Sequence, residues 1–139
     1  MATPVYGKQF IRFAETGLVP DATALTQFKM VTTVGATEPP TLALMIGGGE
    51  CFGILQQDVP AVDPDKATTL ARLGTVATSG LLLVSANDVN LQVQGDALRC
   101  SNSGTSDSQG GAVTVGATTP IVRQQVVIGG VRMALVSFN

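Results

Sequence analysis

Asp58, Asp63 and Asp65 fall within one short stretch, and carboxylates that close could shuttle a proton at a glycosidic bond or hold a calcium ion. Neither chemistry has its companions here. A sugar site wants aromatic platforms, and the chain has one Tyr and no Trp. A calcium loop wants oxygen ligands at fixed alternating offsets, a spacing this segment lacks. With Pro60 and Pro64 among them, the aspartates read as turn formers in an irregular surface loop. Cys51 and Cys100 are the only thiols, and there is no histidine anywhere. A Ser-His-Asp or Cys-His arrangement therefore cannot form. Nothing basic beside Cys51 in sequence lowers its thiol pKa, and neither cysteine has the neighbours of a metal-ligand pattern. The pair reads either as two buried thiols or as a long-range disulfide, since sequence separation does not fix their distance. Gly47-Gly48-Gly49 lacks the Lys-Ser or Lys-Thr that closes a phosphate loop, and Glu50-Cys51-Phe52 follows it. It reads as a turn. The expectation is no catalytic residue, no metal, no cofactor and no enzymatic activity.

Composition points the same way. The 139 residues suit one domain, with 45% hydrophobic but only 13% charged residues, about half the usual charged share. A surface so poor in charge suits a protein whose exterior is covered in an assembly. The net charge of -2, with no basic stripe, disfavours nucleic acid. No apolar run approaches the ~20 residues of a membrane helix, and no secretory leader pattern opens the sequence. The chain is expected to be soluble and unsecreted, with no membrane partner.

Sixteen glycines and seven prolines interrupt the sequence too often for long helices. Short strands are predicted instead. Val5 to Phe13 reads as an extended arm or edge strand, ending before Gly17 and Pro20. Phe28 to Val34 alternates apolar and polar residues as a half-buried strand does. Thr41 to Ile46 and Cys51 to Gln56 flank the glycine triplet as the arms of a hairpin would, with Gly53 marking a bulge or close packing. Ala67 to Leu73 reads as a strand, although Pro64-Asp65-Lys66 could also start a helical turn. Gly74 to Ala77 and Leu81 to Ser85 follow, separated by turn chemistry at Thr78-Ser79-Gly80, then Leu91 to Gln94 and Ala97 to Ser101. Residues 102–111 are Asn-Ser-Gly-Thr-Ser-Asp-Ser-Gln-Gly-Gly, read as a flexible exposed loop with nothing to offer a core. Ala112 to Val115 leads to a terminal hairpin, Val122 to Ile128 and Val131 to Phe138, turning at Gly129-Gly130. The fold class predicted is all-β, a small barrel or sandwich of short strands. Residues 1–20 form an extended N-terminal arm and 21–139 a single β domain.

Within the arm, Val5, Tyr6, Phe10, Ile11 and Phe13 concentrate apolar and aromatic side chains in a chain otherwise poor in aromatics. They read either as an ordinary first core strand or as a segment adding to the sheet edge of another subunit or partner. Twelve extended residues reach about 40 Å.

Phe52-Gly53-Ile54-Leu55-Gln56-Gln57-Asp58, Ala67 to Val76, and Val93-Gln94-Gly95-Asp96-Ala97-Leu98 occur in that order. The stretch from about residue 25 to 110 resembles the capsid decoration, or cement, proteins of tailed bacteriophages. The resemblance implies a compact β domain, often a homotrimer and in some members a dimer, on the outer surface of the virion's capsid where capsomers meet. It implies the major capsid protein as partner, with a terminal segment extending its strands, a role that falls on Val5, Tyr6, Phe10, Ile11 and Phe13. The arm here is longer and more apolar than the family's short starts. Other β-rich virion parts, such as a tail tube, head-completion or fibre-base protein, share this composition, and a β-barrel ligand-binding module is the alternative from a different class.

Overall fold

Strand residues dominate because nearly every apolar run is short, β-branched and closed by glycine or proline, and long-range pairing then selects which runs become strands. The computed structural model describes residues 9–63, 65 and 72–138. Among them are ten strands and no helix of any length beyond a single turn residue at Asp65: β1 (Phe10–Leu18), β2 (Met30–Val34), β3 (Thr41–Leu44), β4 (Gly49–Glu50), β5 (Gly53–Leu55), β6 (Leu73–Ser85), β7 (Arg99–Cys100), β8 (Gly111–Thr114), β9 (Ile121–Ile128) and β10 (Val131–Phe138). The protein is all-β, as its sequence predicts.

The main sheet runs β1-β3-β2-β5-β6-β10-β9, and β1 also pairs with β6. That extra pairing bends the first five strands into a closed ring, β1-β3-β2-β5-β6. The ring is a small barrel, from which β10 and β9 continue along the far half of β6. A second sheet, β4-β8-β7, lies apart from this one. The barrel is filled by Val19, Leu25, Val31, Leu42, Leu55, Val59 and Val76. A larger core, which includes Met30, Ile54, Ala77, Leu82, Leu98, Val113, Val136 and Phe138, draws on both sheets. The barrel wall serves both cores. Leu55 and Val76 are partners facing the barrel interior, while their neighbours Ile54 and Ala77, also partners, face the larger core. Gly53 has to be glycine here, because a Cβ would run into the Ala77 backbone.

β6 departs from the sequence expectation. Its thirteen residues form one strand, not two strands around a Thr78-Ser79-Gly80 turn. Partners on both edges hold these residues extended: Ile11 and Phe138 are both opposite Gly80, and Phe13 is opposite Ser79. The larger core takes Ala77 before Gly80 but Leu82 and Val84 after it, a phase change a regular strand cannot make. Gly80, at φ +128°, lies at that change, and β1 answers with register shifts around Phe13.

Other expectations are corrected in the same way. β3 and β5 are not hairpin partners, because β2 lies between them. Leu91 to Gln94 forms no strand, and of Ala97 to Ser101 only Arg99–Cys100 does, with a single bridge from Ala97 to Ile121. Residues 102–111 are not a wholly exposed loop. Gly104, Thr105, Ser106 and Asp107 are buried. Their polar groups find partners inside: Met30 N–H donates to the Gly104 carbonyl (2.9 Å), Ser106 N–H to the Ser85 carbonyl (2.8 Å) and Ser106 Oγ to Gln92 Oε1 (2.9 Å). Of the predicted Ala67 to Leu73 strand, residues 67–71 lie outside the described residues, and Leu73 opens β6. The terminal hairpin forms as predicted. Gly129 and Gly130 take φ +58° and +80°, the left-handed pair that a two-residue turn demands.

Replacing Gly80 by Val is expected to destabilise the protein by about 2 kcal/mol or more, measured by urea unfolding. The added Cβ would fall well inside contact distance of the Phe10 carbonyl, in a backbone region that branched side chains avoid. An unchanged midpoint would mean that Gly80 does not hold the junction of the two cores.

Candidate interaction surface

β1 is the strand whose side chains are least used by its own fold. From Phe10 to Thr16 every side chain is exposed, on both faces, and burial begins only at Gly17. Phe10 is 66% exposed, Phe13 63% and Ile11 43%. Leu81, directly opposite Phe10, and Leu73, opposite Leu18, add to the exposed apolar surface. Large aromatic side chains left in water on a paired, ordered strand are unusual in a protein that works as an isolated monomer. Burying each against a partner is worth about 1.5–3 kcal/mol.

The main chain of β1 is fixed while its side chains are free. One edge bonds along β6 from Leu81 to Leu73. The start of the strand is pinned by Gln9, whose Nε2 donates to Gln56 Oε1 (2.7 Å) and whose Oε1 accepts from Leu83 N–H (3.0 Å). At the other end Leu18 N–H donates to the Pro40 carbonyl (2.7 Å), and Leu18 pairs with Thr41. Between these anchors, among the described residues, the outer edge from Phe10 to Thr16 carries no main-chain partner. Of the five arm residues singled out in the sequence, Phe10, Ile11 and Phe13 are therefore brought together on this strand. Val5 and Tyr6 lie outside the described residues.

The residues that could have carried chemistry are occupied otherwise. Asp58 Oδ1 accepts Gln27 N–H (2.8 Å) and Asp63 Oδ1 accepts Asp65 N–H (3.0 Å), the loop-forming use of a carboxylate. Among the described residues no three Asp, Glu or Cys side chains are placed to hold a metal ion. Gly48 is packed against the backbone of Gly111 and Ala112, so the glycine triplet presents no open cradle on that side. Cys51 and Cys100 are both free thiols and buried. Cys51 Sγ lies 3.4 Å from the Gly53 carbonyl and 3.6 Å from that of Val31. Burial pushes its pKa up to about 12, and burial likewise raises that of Cys100.

A buried polar brace, absent from the sequence expectations, centres on Gln92. Gln92 Oε1 accepts from Arg99 N–H (2.9 Å) and Ser106 Oγ, while its Nε2 donates to the Ala97 carbonyl (2.7 Å). Asn87 Nδ2 donates to Asp107 Oδ2 (3.2 Å) beside it. An open hollow of about 240 Å³ lined by Gln92, Asp96, Ala97, Arg99 and Ser108 adjoins this brace. Gln92's amide is already spent on the protein itself, so the brace holds residues 92–107 together and leaves little to grip a ligand. The only sequence signal for it was a glutamine within an apolar run.

Comparison of the sequence with models of known protein families, and with curated protein sequences, finds no match.

Because the folded Cys51 pKa lies above its ordinary value of 9.0, the unfolded chain loses this proton first as pH rises. Its contribution to stability is whole below about pH 9 and is lost progressively toward pH 12, at about 1.4 kcal/mol per pH unit for this one thiol. Unfolding free energies measured from pH 7 to 11 should be flat at first and then fall, with a shallower fall in Cys51→Ala. In native protein at pH 8, neither thiol should react with a small disulfide reagent, and both should react in urea.

Proposed function

We propose that this chain is a structural subunit of a tailed-phage virion, a capsid decoration protein that binds the outside of the head at capsomer junctions and stabilises the shell. The observation that carries the reading is β1: an ordered strand with Phe10, Ile11 and Phe13 exposed on its two faces and one edge unpaired among the described residues. Such a strand is made to be covered. The order of the central motifs, from Phe52-Gly53-Ile54-Leu55 to Gln94-Gly95-Asp96-Ala97-Leu98, supports the family resemblance from the sequence side.

Cementing requires no bond to be made or broken. A protein touching several neighbouring shell subunits turns each further contact into an intramolecular one, so modest interfaces add to a firm hold. A surface of Thr, Ser, Gln and Gly with few charges suits this role, because little charge has to be stripped of water when it is buried.

The test incubates purified protein with undecorated heads and images them. Regular density at capsomer junctions is expected. Phe10→Asp/Phe13→Asp should lower occupancy at least tenfold while the unfolding midpoint stays within a few degrees, since neither ring is packed in the fold. Wild-type occupancy by the variant would remove β1 from the attachment, and bare heads with the wild-type protein would overturn the reading itself.

A further inference from the structure

Two loops, residues 20–25 and 58–62, close one end of the barrel, and their hold on the rest of the fold is slight. Leu25 and Val59 are their only buried side chains, both in the barrel core. Their main-chain bonds run within and between the loops. Leu25 and Val59 exchange both N–H bonds (2.9 and 2.8 Å), Val62 N–H donates to the Asp21 carbonyl (2.8 Å), and Thr23 N–H donates to that of Pro20 (2.9 Å). Among the described residues neither loop pairs with a strand.

One side chain joins both loops to the sheet. Arg72 stands immediately before β6, and its carbonyl accepts Val19 N–H (2.9 Å), just past the end of β1. One terminal nitrogen of its guanidinium donates to the carbonyls of Pro20 (2.6 Å) and Thr23 (2.8 Å), and the other donates to that of Pro60. The side chain is 13% exposed, and its Nε, without a hydrogen-bond partner, lies 3.6 Å from Asp21 Oδ1. Asp21 is 43% exposed, so the ion pair contributes little in water and the three carbonyls carry the hold. Bonds from a charged donor are about twice as strong as neutral ones, and the planar fork of arginine reaches acceptors on both loops at once.

We infer that this end of the barrel is a latch: Arg72 holds residues 20–25 and 58–62 shut over the barrel core, and the two loops open together, on their own, when that grip is lost. A segment that buries two side chains and bonds mostly to itself belongs to the low-stability part of a fold. The larger core takes no residue from either loop, so it stays closed when they open. The three carbonyls and the Asp21 carboxylate form a seat for a planar cation, which the chain fills with its own guanidinium. The latch is independent of the reading of the chain as a virion subunit.

Amide hydrogen exchange, followed by NMR on the full chain, tests both the latch and the seat. In the wild type at low urea, the amides of Thr23, Leu25, Val59 and Val62 should share one opening and exchange at least tenfold faster than those of Leu98, Val113 and Val122 in the larger core. A single opening common to both groups would overturn the separate unit. In Arg72→Ala the first group should exchange at least a further tenfold faster, with the second within about twofold of wild type. Equal acceleration of both groups, or of neither, would overturn the latch. Failure of the variant to fold would overturn it too, because a local latch leaves the larger core standing. The substitution removes an ethylguanidinium group. Added ethylguanidinium at about 20 mM should therefore slow the first group about threefold in Arg72→Ala, as a Kd of about 10 mM would give, and leave the wild type unchanged. No slowing, or as much from the neutral ethylurea, would overturn the cation seat.

Discussion

The structure depends on β6 being extended through Gly80. Its thirteen residues reach about 40 Å, long enough to form a wall of the barrel at one end and a wall of the larger core at the other. β1 and β5 flank its first half, and β10 flanks its second. The phase change at Gly80 lets the face that meets the larger core carry Ala77 on one side and Leu82 and Val84 on the other. Without that change, Leu83, which packs with Val126, Met133 and Leu135, would take the place of Leu82 and Val84 in the larger core. The barrel, the β9–β10 hairpin and the position of β1 all follow from this strand.

The second constraint is polar. A core walled by a main sheet and a small three-stranded one has an end that strands alone leave open, and here residues 104–107 pass over it. Burying a serine, a threonine and an aspartate together is tolerable only when each group is bonded. Gln92 makes this workable, since one side chain serves Arg99, Ala97 and Ser106 at once. Four consecutive buried residues thus come from the most polar stretch of the sequence. No nearby apolar residue announces them.

What the fold leaves outside follows from the same economy of strands. The barrel closes β1 onto β6 and needs only Leu18 to meet β3, so from Phe10 to Thr16 the other edge has no main-chain partner among the described residues and every side chain is exposed. β10 pairs along one side of β9, and on the other side Gly95 and Asp96 bond Val122. A protein with few charges has little else with which to guard these edges. Exposed apolar residues gather on β1 at Phe10, Ile11 and Phe13 and at the β9–β10 turn, and others stand in loops at Ile46, Val89 and Val93.

The sequence by itself determined the class of the fold, the terminal hairpin and the lack of any histidine-based chemistry, because each is written in local composition: alternating branched residues, a Gly129-Gly130 turn, the residue types present. It also singled out Phe10, Ile11 and Phe13, with Val5 and Tyr6, as either a first core strand or an arm that adds to a partner's sheet edge. It misread Thr78-Ser79-Gly80 as a turn, joined β3 to β5, and sent residues 102–111 into solvent. Only tertiary structure decided these. Hydrogen bonds from strands distant in sequence outweigh local turn preference at Gly80, and β2 intervenes between two runs that are neighbours in sequence. The partners of Gly104 and Ser106 are Met30, Ser85 and Gln92, none of them local. Likewise, that β1 pairs with both β3 and β6 depends on the closing of the barrel, which no window of sequence contains.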